Sequence, residues 1–486
     1  MFLVVIALSY PITMEGAMKA LIDVVPTDEQ LGLFSRITPG VEVIRGAAGS
    51  GKTTTALLKM QAAVTVYVRR VKRMTEPQPV NVLVLTYNKT LRGYVTELAT
   101  NQLRHEPLVN IEIATFNNWA YHLLRPTNKI LNIGETSNLL RLYAHQLRMD
   151  NQFAADEAVY VQGRFLSEDI SDYLTARRDG RGVTPRMERP ARQQLLDTVI
   201  GPYNQHKADS QQIDWNDLAT ALAREQLRSY DIIVVDETQD FSANEIRAVL
   251  NQRSPDATVT FVLDSAQRIY SRNFSWTEVG VALTGDKSRT LQNNYRNTKQ
   301  IARFASSLLD GLAFDDNGTM PNHDSATTEG ALPIVLVGDY PKQVSYAIQY
   351  IKNTVDLTTE SVAFLHPKGW FSGLAPYLRQ HGLPFVKLTG ESEWPQGLEN
   401  IALSTVHSCK GLEFDHVIMI GFDGSVVDVQ SPEEDEQDHE LSARVRRLIA
   451  MGIGRARKSV ILGFKREDAP DIIRYFDTEL CQGVEV

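Results

Sequence analysis

The chain has 486 residues, of which 43% are hydrophobic and 22% charged, and it carries a formal net charge of −9. This composition is that of an ordinary globular protein, and the length allows about three domains. The two cysteines, Cys409 and Cys481, exclude a disulfide framework and favour a reducing, cytoplasmic setting.

The first residues form an apolar run from Phe2 to Leu8, which is too short to span a bilayer. No lysine or arginine precedes the run and no clear cleavage site follows it, so neither a secretory signal nor a membrane anchor is expected. We expect instead an additional edge strand, or a true start at Met14 or Met18.

The stretch VIRGAAGSGKTTTAL at residues 43–57 matches the phosphate-binding pattern G-x-x-x-x-G-K-S/T at every fixed position. Glycines let backbone N–H groups approach a polyphosphate, and the helix that follows directs its N-terminal dipole at the anion. Lys52 is expected to reach the β- and γ-phosphates, and the Thr53 hydroxyl to hold Mg²⁺. The predicted nucleotide-binding loop comprises Gly46, Ala47, Ala48, Gly49, Ser50, Gly51, Lys52, Thr53 and Thr54.

Two further apolar runs, VNVLVL and IEIA, predict strands that end in polar and aromatic residues. Ligands of parallel sheets bind at the carboxyl ends of the strands, and hydroxyls, amides and rings suit a single nucleic-acid strand. The candidates are Thr86, Asn88 and Lys89 after the first run, and Thr115, Phe116 and Trp119 after the second. The alternative is that the two aromatic residues belong to the core.

Residues 121–225 have a mainly helical pattern without a strand-like apolar run, which predicts an inserted helical subdomain. Among its glycines and prolines stand six arginines, Arg177, Arg178, Arg181, Arg186, Arg189 and Arg192. Two interpretations stay open: the arginines follow a phosphate backbone, or they only solvate a loop.

The run DIIVVDETQDF at residues 231–241 places Asp236 and Glu237 at the end of a buried strand. Paired acids at that position suit triphosphate hydrolysis, one for Mg²⁺ and one for the attacking water. The next predicted strand, TVTFVLD, is followed by Gln267, and then by Tyr270 and Trp276 near the same edge.

The C-terminal third is again α/β, with strands predicted at PIVLVG, SVAFLH, ENIALSTVH, HVIMIGF and KSVILGF. The segment STVHSCKGLEF joins two of these strands and contains His407, Lys410 and Glu413. A helix that leads into the last strand ends at Arg455.

The order of the motifs GAAGSGKTT, DETQD, NYRNT, HSCKGLEF and GRAR resembles that of the superfamily 1 helicases of the UvrD/Rep type. The resemblance extends from about residue 26 to residue 465. It implies an α/β fold of two RecA-like parallel-sheet P-loop NTPase domains, with a helical insertion in the first. The expected boundaries are residues 1–120 and 226–290 for the first motor domain, 121–225 for the insertion and 291–486 for the second motor domain.

The resemblance also implies roles around ATP, bound in the cleft between the two domains. Gln30 would read the adenine and Tyr295 would stack on it, while Glu413 would meet the ribose. Thr53 and Asp236 would hold Mg²⁺. The implied catalytic set is Lys52, Asp236, Glu237 as general base, Gln267 as γ-phosphate sensor, and Arg296 and Arg455 as arginine fingers from the second domain. Tyr270, Trp276, His407 and Lys410 complete the predicted DNA-binding residues.

Two departures from the family pattern are visible. In IAMGIGRAR, Ala450 and Gly454 replace the usual tyrosine and threonine, whereas Arg455 is kept. ENIALSTVH begins about a dozen residues after HGLPF, a connection too short for the large helical subdomain that family members insert there.

We therefore expect a Mg-ATP-dependent translocase or helicase on single-stranded DNA, with a duplex junction as an accessory substrate. Movement from 3′ to 5′ is implied by the resemblance alone. The alternative is an ATP-switched DNA-binding or scaffolding subunit, for example with a nuclease partner, that does not unwind DNA by itself. RNA as the track is a third interpretation.

Overall fold

The computed structural model describes residues 28–34, 37–46, 50–86, 92, 96, 107–178, 186–263, 274–283, 285, 287–291, 294, 296–312, 326, 328–369, 371–388, 399–409, 411–423 and 436–486. Nine of the predicted site residues lie outside these ranges, and their roles stay predictions. They are Ala47, Ala48, Gly49, Asn88, Lys89, Gln267, Tyr270, Tyr295 and Lys410.

The N-terminal half of the chain is built on a parallel sheet. Its strands in chain order are β1 (Gly40–Gly46), β2 (Val80–Thr86), β3 (Val109–Thr115), β4 (Lys129–Ile130), β5 (Gln212–Ile213), β6 (Tyr230–Val235), β7 (Arg253–Leu263) and β8 (Ser288–Leu291). Six of them form one sheet in the order β3-β2-β6-β7-β1-β8, with every described pair parallel, while β4 pairs with β5.

Helices of this half lie on both faces of the sheet and in the region between β3 and β6. They are α1 (Asp28–Phe34), α2 (Lys52–Val71), α3 (Phe116–Leu124), α4 (Ile133–Ala144), α5 (Asn151–Arg164), α6 (Arg189–Leu195), α7 (Gly201–Asp209), α8 (Trp215–Arg224) and α9 (Ala243–Asn251). Val82 and Val84 of β2 share a core with α2, whereas Leu83 and Leu85 share the opposite core with α9. The central strands are continuous apolar runs because both of their faces are buried.

Between β3 and β6 the chain forms helices α3 to α8 and the short β4–β5 pair. A 3₁₀ helix, Ser167–Leu174, and a π turn, Leu196–Ile200, complete this region. It has its own core, in which Leu140, Val161, Leu195 and Tyr203 are fully buried. These elements form the helical insertion, although its exact boundaries stay a prediction.

The C-terminal half carries a second parallel sheet. Its strands are β9 (Ile334–Val337), β10 (Val362–His366), β11 (Val386–Leu388), β12 (Ile401–Thr405), β13 (Phe414–Phe422), β14 (Ala456–Phe464) and β15 (Gln482–Glu485). They pair in the order β11-β12-β10-β13-β14-β9-β15, all parallel. The helices are α10 (Lys299–Ser307), α11 (Tyr340–Thr354), α12 (Leu374–Gln380) and α13 (Glu436–Ile453).

The predicted fold class, two parallel sheets in an α/β chain with a helical insertion in the first, is confirmed. The five strands predicted in the C-terminal third are confirmed as β9, β10, β12, β13 and β14. Within the described ranges, no helix combines the length and the apolar character needed to cross a membrane.

Candidate nucleotide site

The P-loop connects the end of β1 to the start of α2, and two of its glycines are required by geometry. Gly51 has a φ of 74°, which favours glycine, and a Cβ there would lie 2.5 Å from Gln30 Nε2. A Cβ on Gly46 would lie 2.4 Å from Ser50 Oγ. The backbone N–H and the hydroxyl of Thr55 both donate to the Gly51 carbonyl at 2.8 Å. The loop is therefore anchored to the first turn of α2.

Thr53 and Asp236 meet where α2 begins and β6 ends. Thr53 Oγ1 donates to Asp236 Oδ2 at 2.8 Å, and the Asp236 N–H donates to the Leu85 carbonyl of β2 at 2.9 Å. Asp236 is only 3% exposed. Burial, and then the neighbouring Glu237 carboxylate, raises the pKa of Asp236 above its usual range, while the hydrogen bond from Thr53 opposes this shift.

This pair fits a Mg²⁺ ion. Magnesium takes oxygen ligands and is commonly held by one or two protein groups together with substrate phosphates. Thr53 and Asp236 supply a hydroxyl and a carboxylate, and a divalent cation would favour the charged form of the buried Asp236. The described residues contain no cluster of three or more acidic, histidine or cysteine side chains for a metal, so phosphate and water oxygens would complete the ligand set.

Glu237, the predicted general base, occupies a strained backbone position. Its φ is 52°, in the left-handed region that non-glycine residues rarely adopt. Its N–H donates to Asp236 Oδ1 at 2.9 Å, and its carboxylate accepts a hydrogen bond from the Gln239 amide. Backbone strain of this kind concentrates at functional sites, and here it fixes the direction of the side chain.

Gln30 lies against the other side of the P-loop. Its side chain is buried, and Nε2 donates to the Gly51 carbonyl at 3.4 Å. α1 therefore brings Gln30 to the nucleotide-binding loop, whereas its contact with adenine stays a prediction.

Three predicted residues of the second half meet one another. The Arg296 guanidinium donates to a Glu413 carboxylate oxygen and, at 3.3 Å, to the Gly454 carbonyl. The Phe414 N–H donates to the carbonyl of Arg455 at 3.0 Å, and Arg455 is only 2% exposed. The structure therefore places Arg296, Glu413 and Arg455 in one cluster.

Two asparagines of NYRNT hold this cluster, although the motif predicted roles only for its tyrosine and arginine. Asn294 Oδ1 accepts from the N–H groups of Arg296 and Asn297, both at 3.1 Å. Asn297 Nδ2 donates to the carbonyl of Gly454 at 3.2 Å. Their side chains thus tie the segment that bears Arg296 to the segment that bears Arg455.

The stacking role predicted for Phe116 and Trp119 is wrong, and the alternative that they are core residues is correct. Trp119 has 0% exposure, and its indole N–H donates to the Tyr230 hydroxyl at 3.0 Å. Phe116 packs edge-on against Trp119 and Phe241, with ring centroids 5.5 and 6.1 Å apart. Neither ring offers a face on which a base could stack.

The other described residues that were predicted to bind DNA differ in their exposure to solvent. Thr86 has 0% exposure, so its predicted contact with a strand is also wrong. The Thr115 hydroxyl caps α3 by accepting from the Asn118 N–H at 3.4 Å. Trp276 and His407 are half-buried, which leaves part of each ring open to solvent. Thr115, Trp276 and His407 stay candidates.

Two arginines of the insertion are structural. Arg178 is buried and binds the buried Glu157 carboxylate, with Nε to Oε1 at 2.7 Å. Arg192 Nη1 donates to the carbonyls of Tyr173 and Ala176, both at 2.6 Å. These two guanidiniums hold the insertion together and do not form a surface for phosphates.

The fold and the site define a class of protein, a P-loop NTPase with a second parallel-sheet unit that contributes a buried arginine cluster. Residues 28–278 match the sequence model of the UvrD/REP helicase N-terminal domain, and residues 383–467 match that of the UvrD-like helicase C-terminal domain. The chain belongs to the UvrD/Rep helicase family. Its class is therefore that of the ATP-dependent DNA helicases.

Individual relatives are distant. A protein of Mycoplasma pneumoniae (strain ATCC 29342 / M129) described as a probable DNA helicase is 22% identical over 408 residues, which cover 79% of this chain and 73% of that protein. The solved C-terminal domain of a possible DNA helicase from Lactobacillus plantarum WCFS1 is 18% identical and covers 39% of this chain and 98% of that one. Its TM-score is 0.28, which is too low to support a structural argument.

Proposed function

We propose that this chain hydrolyses Mg-ATP and uses the energy to move along single-stranded DNA, from 3′ to 5′. The contact between Thr53 of the P-loop and Asp236 at the end of β6 carries the proposal, because it joins a phosphate-binding loop to the acidic pair that hydrolysis needs. The polarity rests on the family resemblance alone. We place this activity in the cytoplasm, and the two free cysteines among the described residues support a reducing compartment.

In the proposed reaction Lys52 and the P-loop amides bind the phosphates, and Thr53 and Asp236 hold Mg²⁺. The ion would offset charge on the phosphate oxygens and orient them. Glu237 then positions the attacking water and accepts its proton, with its carboxylate directed by the positive φ and by Gln239.

Arg296 and Arg455 are proposed to contact the γ-phosphate from the second sheet. Arg455 is buried, and the mostly buried Arg296 side chain is held by Glu413 and the Gly454 carbonyl, so the Arg296 guanidinium is oriented before the nucleotide arrives. Hydrolysis would then depend on closure of the cleft, which couples it to movement of the two halves.

The DNA track is proposed to run along the carboxyl edges of the strands. Thr115, Trp276 and His407 are the described candidates there, and Asn88, Lys89, Tyr270 and Lys410 are the predicted additions. Trp276 is the ring best placed to stack on a base, because it is half-buried against Phe261 and Phe274 and keeps an open part.

One observation favours a second function, an ATP-switched subunit that grips DNA for a partner such as a nuclease. β11 ends at Leu388 and β12 begins at Ile401, so the connection is too short for a large inserted subdomain. Without that subdomain, unwinding would depend on a partner.

The deciding experiment is ATP hydrolysis by the purified chain with oligo-dT of increasing length, with Lys52→Ala as the blank and the exposed Lys342→Ala as the matched control. Turnover that rises with length and then saturates supports a translocase. Turnover that does not respond to DNA in the wild-type chain contradicts it and favours the switch. Turnover retained by Lys52→Ala would refute the nucleotide site.

A further inference from the structure

We propose that Arg164 of the insertion and Arg247 of α9 position the turn that carries Trp276, by holding Glu278 between them. Arg164, Arg247 and Glu278 are called the arginine junction below. The inference rests on the proposed function, because it assigns the junction to the binding of single-stranded DNA through Trp276.

The turn at residues 275–281 depends on Glu278. The Ser275 hydroxyl donates to Glu278 Oε1 at 3.1 Å, and the Glu278 N–H donates back to the Ser275 hydroxyl at 3.3 Å. The Val281 N–H donates to the Trp276 carbonyl at 2.9 Å and closes the turn. The Glu278 carboxylate therefore defines the backbone on both sides of the tryptophan.

The Arg164 guanidinium binds the Glu278 carboxylate through two parallel hydrogen bonds. Its Nε donates to Oε2 at 2.9 Å, and its Nη2 donates to Oε1 at 2.8 Å. Arg164 is only 5% exposed, and its guanidinium lies over the rings of Tyr160 and Phe165. Two-pronged pairing of this kind fixes direction as well as distance. The C-terminal end of α5 thus sets where the turn lies.

Arg247 connects the Arg164–Glu278 ion pair to the segment that follows Glu237. Its Nη1 donates to the Arg164 carbonyl at 2.7 Å, and its Nη2 donates to the Glu278 carbonyl at 3.0 Å. On the same helix, Asn244 Nδ2 donates to the carbonyls of Gln162 and Phe165 at 2.8 and 3.1 Å. α9 begins directly after DETQDF. The arginine junction therefore connects the acidic segment to both the insertion and the Trp276 turn.

α5 and α9 pack so closely that the two helices have little freedom to slide past each other. A Cβ at Gly163 would lie 3.1 Å from the Cβ of Ser242, the residue that caps α9. Rigid support of a contact residue by neighbouring side chains is what productive positioning requires, since small displacements weaken a contact strongly. The insertion therefore acts on DNA through the Trp276 turn.

The test compares Glu278→Gln with wild type in oligo-dT-stimulated ATP hydrolysis. Trp276→Ala is the reference for a lost stacking contact. Arg224→Ala is the matched control, because Arg224 pairs with Glu168 in the same insertion while both side chains are about half exposed. Thermal unfolding of each variant is measured in parallel.

We expect Glu278→Gln to raise the oligo-dT concentration for half-maximal stimulation about tenfold, and to leave turnover without DNA within twofold of wild type. Arg224→Ala should match wild type. If Glu278→Gln unfolds, Arg247→Lys replaces it, because the single Nζ of lysine takes the place of the two guanidinium nitrogens that bond the carbonyls of Arg164 and Glu278. The same result is expected, a weaker response to oligo-dT with turnover without DNA within twofold of wild type.

Two outcomes overturn the inference. In the first, wild type responds to DNA and Glu278→Gln responds equally. In the second, a variant that keeps the wild-type melting temperature loses basal and stimulated turnover to the same extent, which shows that Glu278 does not act through the binding of DNA. A wild-type chain that does not respond to oligo-dT at all refutes the proposed function, and the inference with it.

Discussion

Thr53 Oγ1 lies 2.8 Å from Asp236 Oδ2, and this hydrogen bond joins two residues separated by 183 positions in the chain. The contact exists because β1 and β6 are separated only by β7 in the sheet, so their carboxyl ends open at the same edge. A hydroxyl on the first turn of α2 and a carboxylate at the end of β6 are thereby brought within range of one cation.

Thr53→Val removes this hydroxyl and leaves Oδ2 of the buried Asp236 without the Thr53 donor, while Oδ1 keeps the Glu237 N–H. We expect ATP turnover to fall by at least about 10- to 100-fold, because even the loss of a group that only supports a metal ligand has an effect of that size. Turnover measured against magnesium concentration should also show a higher requirement for the ion. Thr53→Ser keeps the hydroxyl and should stay close to wild type, and equal loss in both variants would contradict the role of the hydroxyl.

Glu237→Gln should separate nucleotide binding from hydrolysis. Removing a general base typically costs about 10²- to 10⁴-fold in rate, whereas an amide of the same size leaves the binding loop unchanged. A fluorescent ATP analogue reports binding, and phosphate release reports hydrolysis. The exposed Glu329→Gln is the matched control, and simultaneous loss of binding and hydrolysis in Glu237→Gln would refute its assignment as base.

Much of this arrangement follows from local sequence, and the rest does not. The strands β2, β6, β10, β12, β13 and β14 are long apolar runs, and such runs identify buried parallel strands directly. β11 has only three residues and β15 has four, of which a single valine is apolar, so their pairing depends on neighbours that the local pattern does not reveal.

Trp119 and Glu413 show why site residues are harder to predict than strands. The burial of Trp119 depends on Tyr230, which is 111 positions away, and the pairing of Glu413 with Arg296 spans 117 positions. Spacing within a motif carries no information about such distant contacts. The motif therefore located the site but did not separate rings that face DNA from rings that fill the core.

Trp276→Ala should weaken the response to DNA. Stacking of a base on an aromatic ring is worth about 1–3 kcal/mol, so the oligo-dT concentration for half-maximal stimulation should rise about 5- to 150-fold. Basal turnover and melting temperature serve as internal references for the fold. A normal DNA response in this variant would mean that Trp276 is a packing residue only.

Trp119 provides the contrast in the same half of the chain. Because its ring is fully buried, Trp119→Ala should lower the free energy of unfolding by about 3–5 kcal/mol. Trp119→Phe should recover part of this loss while it still lacks the N–H donor to Tyr230. If Trp119→Phe folds normally and loses its DNA response selectively, the assignment of Trp119 to the core is wrong.

Arg296→Ala should reduce stimulated turnover by about 10³-fold or more, the effect expected when an arginine that contacts the γ-phosphate is removed. Binding of the ATP analogue should change little, since the P-loop supplies most phosphate contacts. Arg303→Ala, at an exposed position of α10, is the control for a lost arginine. Unchanged turnover in Arg296→Ala would show that its guanidinium only supports Glu413 and Gly454.

His366, at the end of β10, predicts a specific pH dependence of stability. Burial lowers the pKa of this ring to about 4, with a raising effect of Asp423 and a further lowering effect of Lys368. Its Nδ1 accepts from the Lys368 N–H at 3.1 Å, which requires the neutral ring with its proton on Nε2. On acidification the unfolded chain takes up a proton near pH 6.5, about two and a half pH units above the folded chain.

Between these two values the unfolded state binds more protons, so stability falls as the pH is lowered from about 6.5 towards 4. At pH 5 the loss attributable to His366 should be about 2 kcal/mol relative to pH 7.5. His366→Asn retains an acceptor near the position of Nδ1 and cannot titrate, so urea unfolding at the two pH values should show a correspondingly smaller difference in this variant. The exposed His381→Asn is the control, and an equal pH dependence in wild type and His366→Asn would show that the buried ring does not govern it.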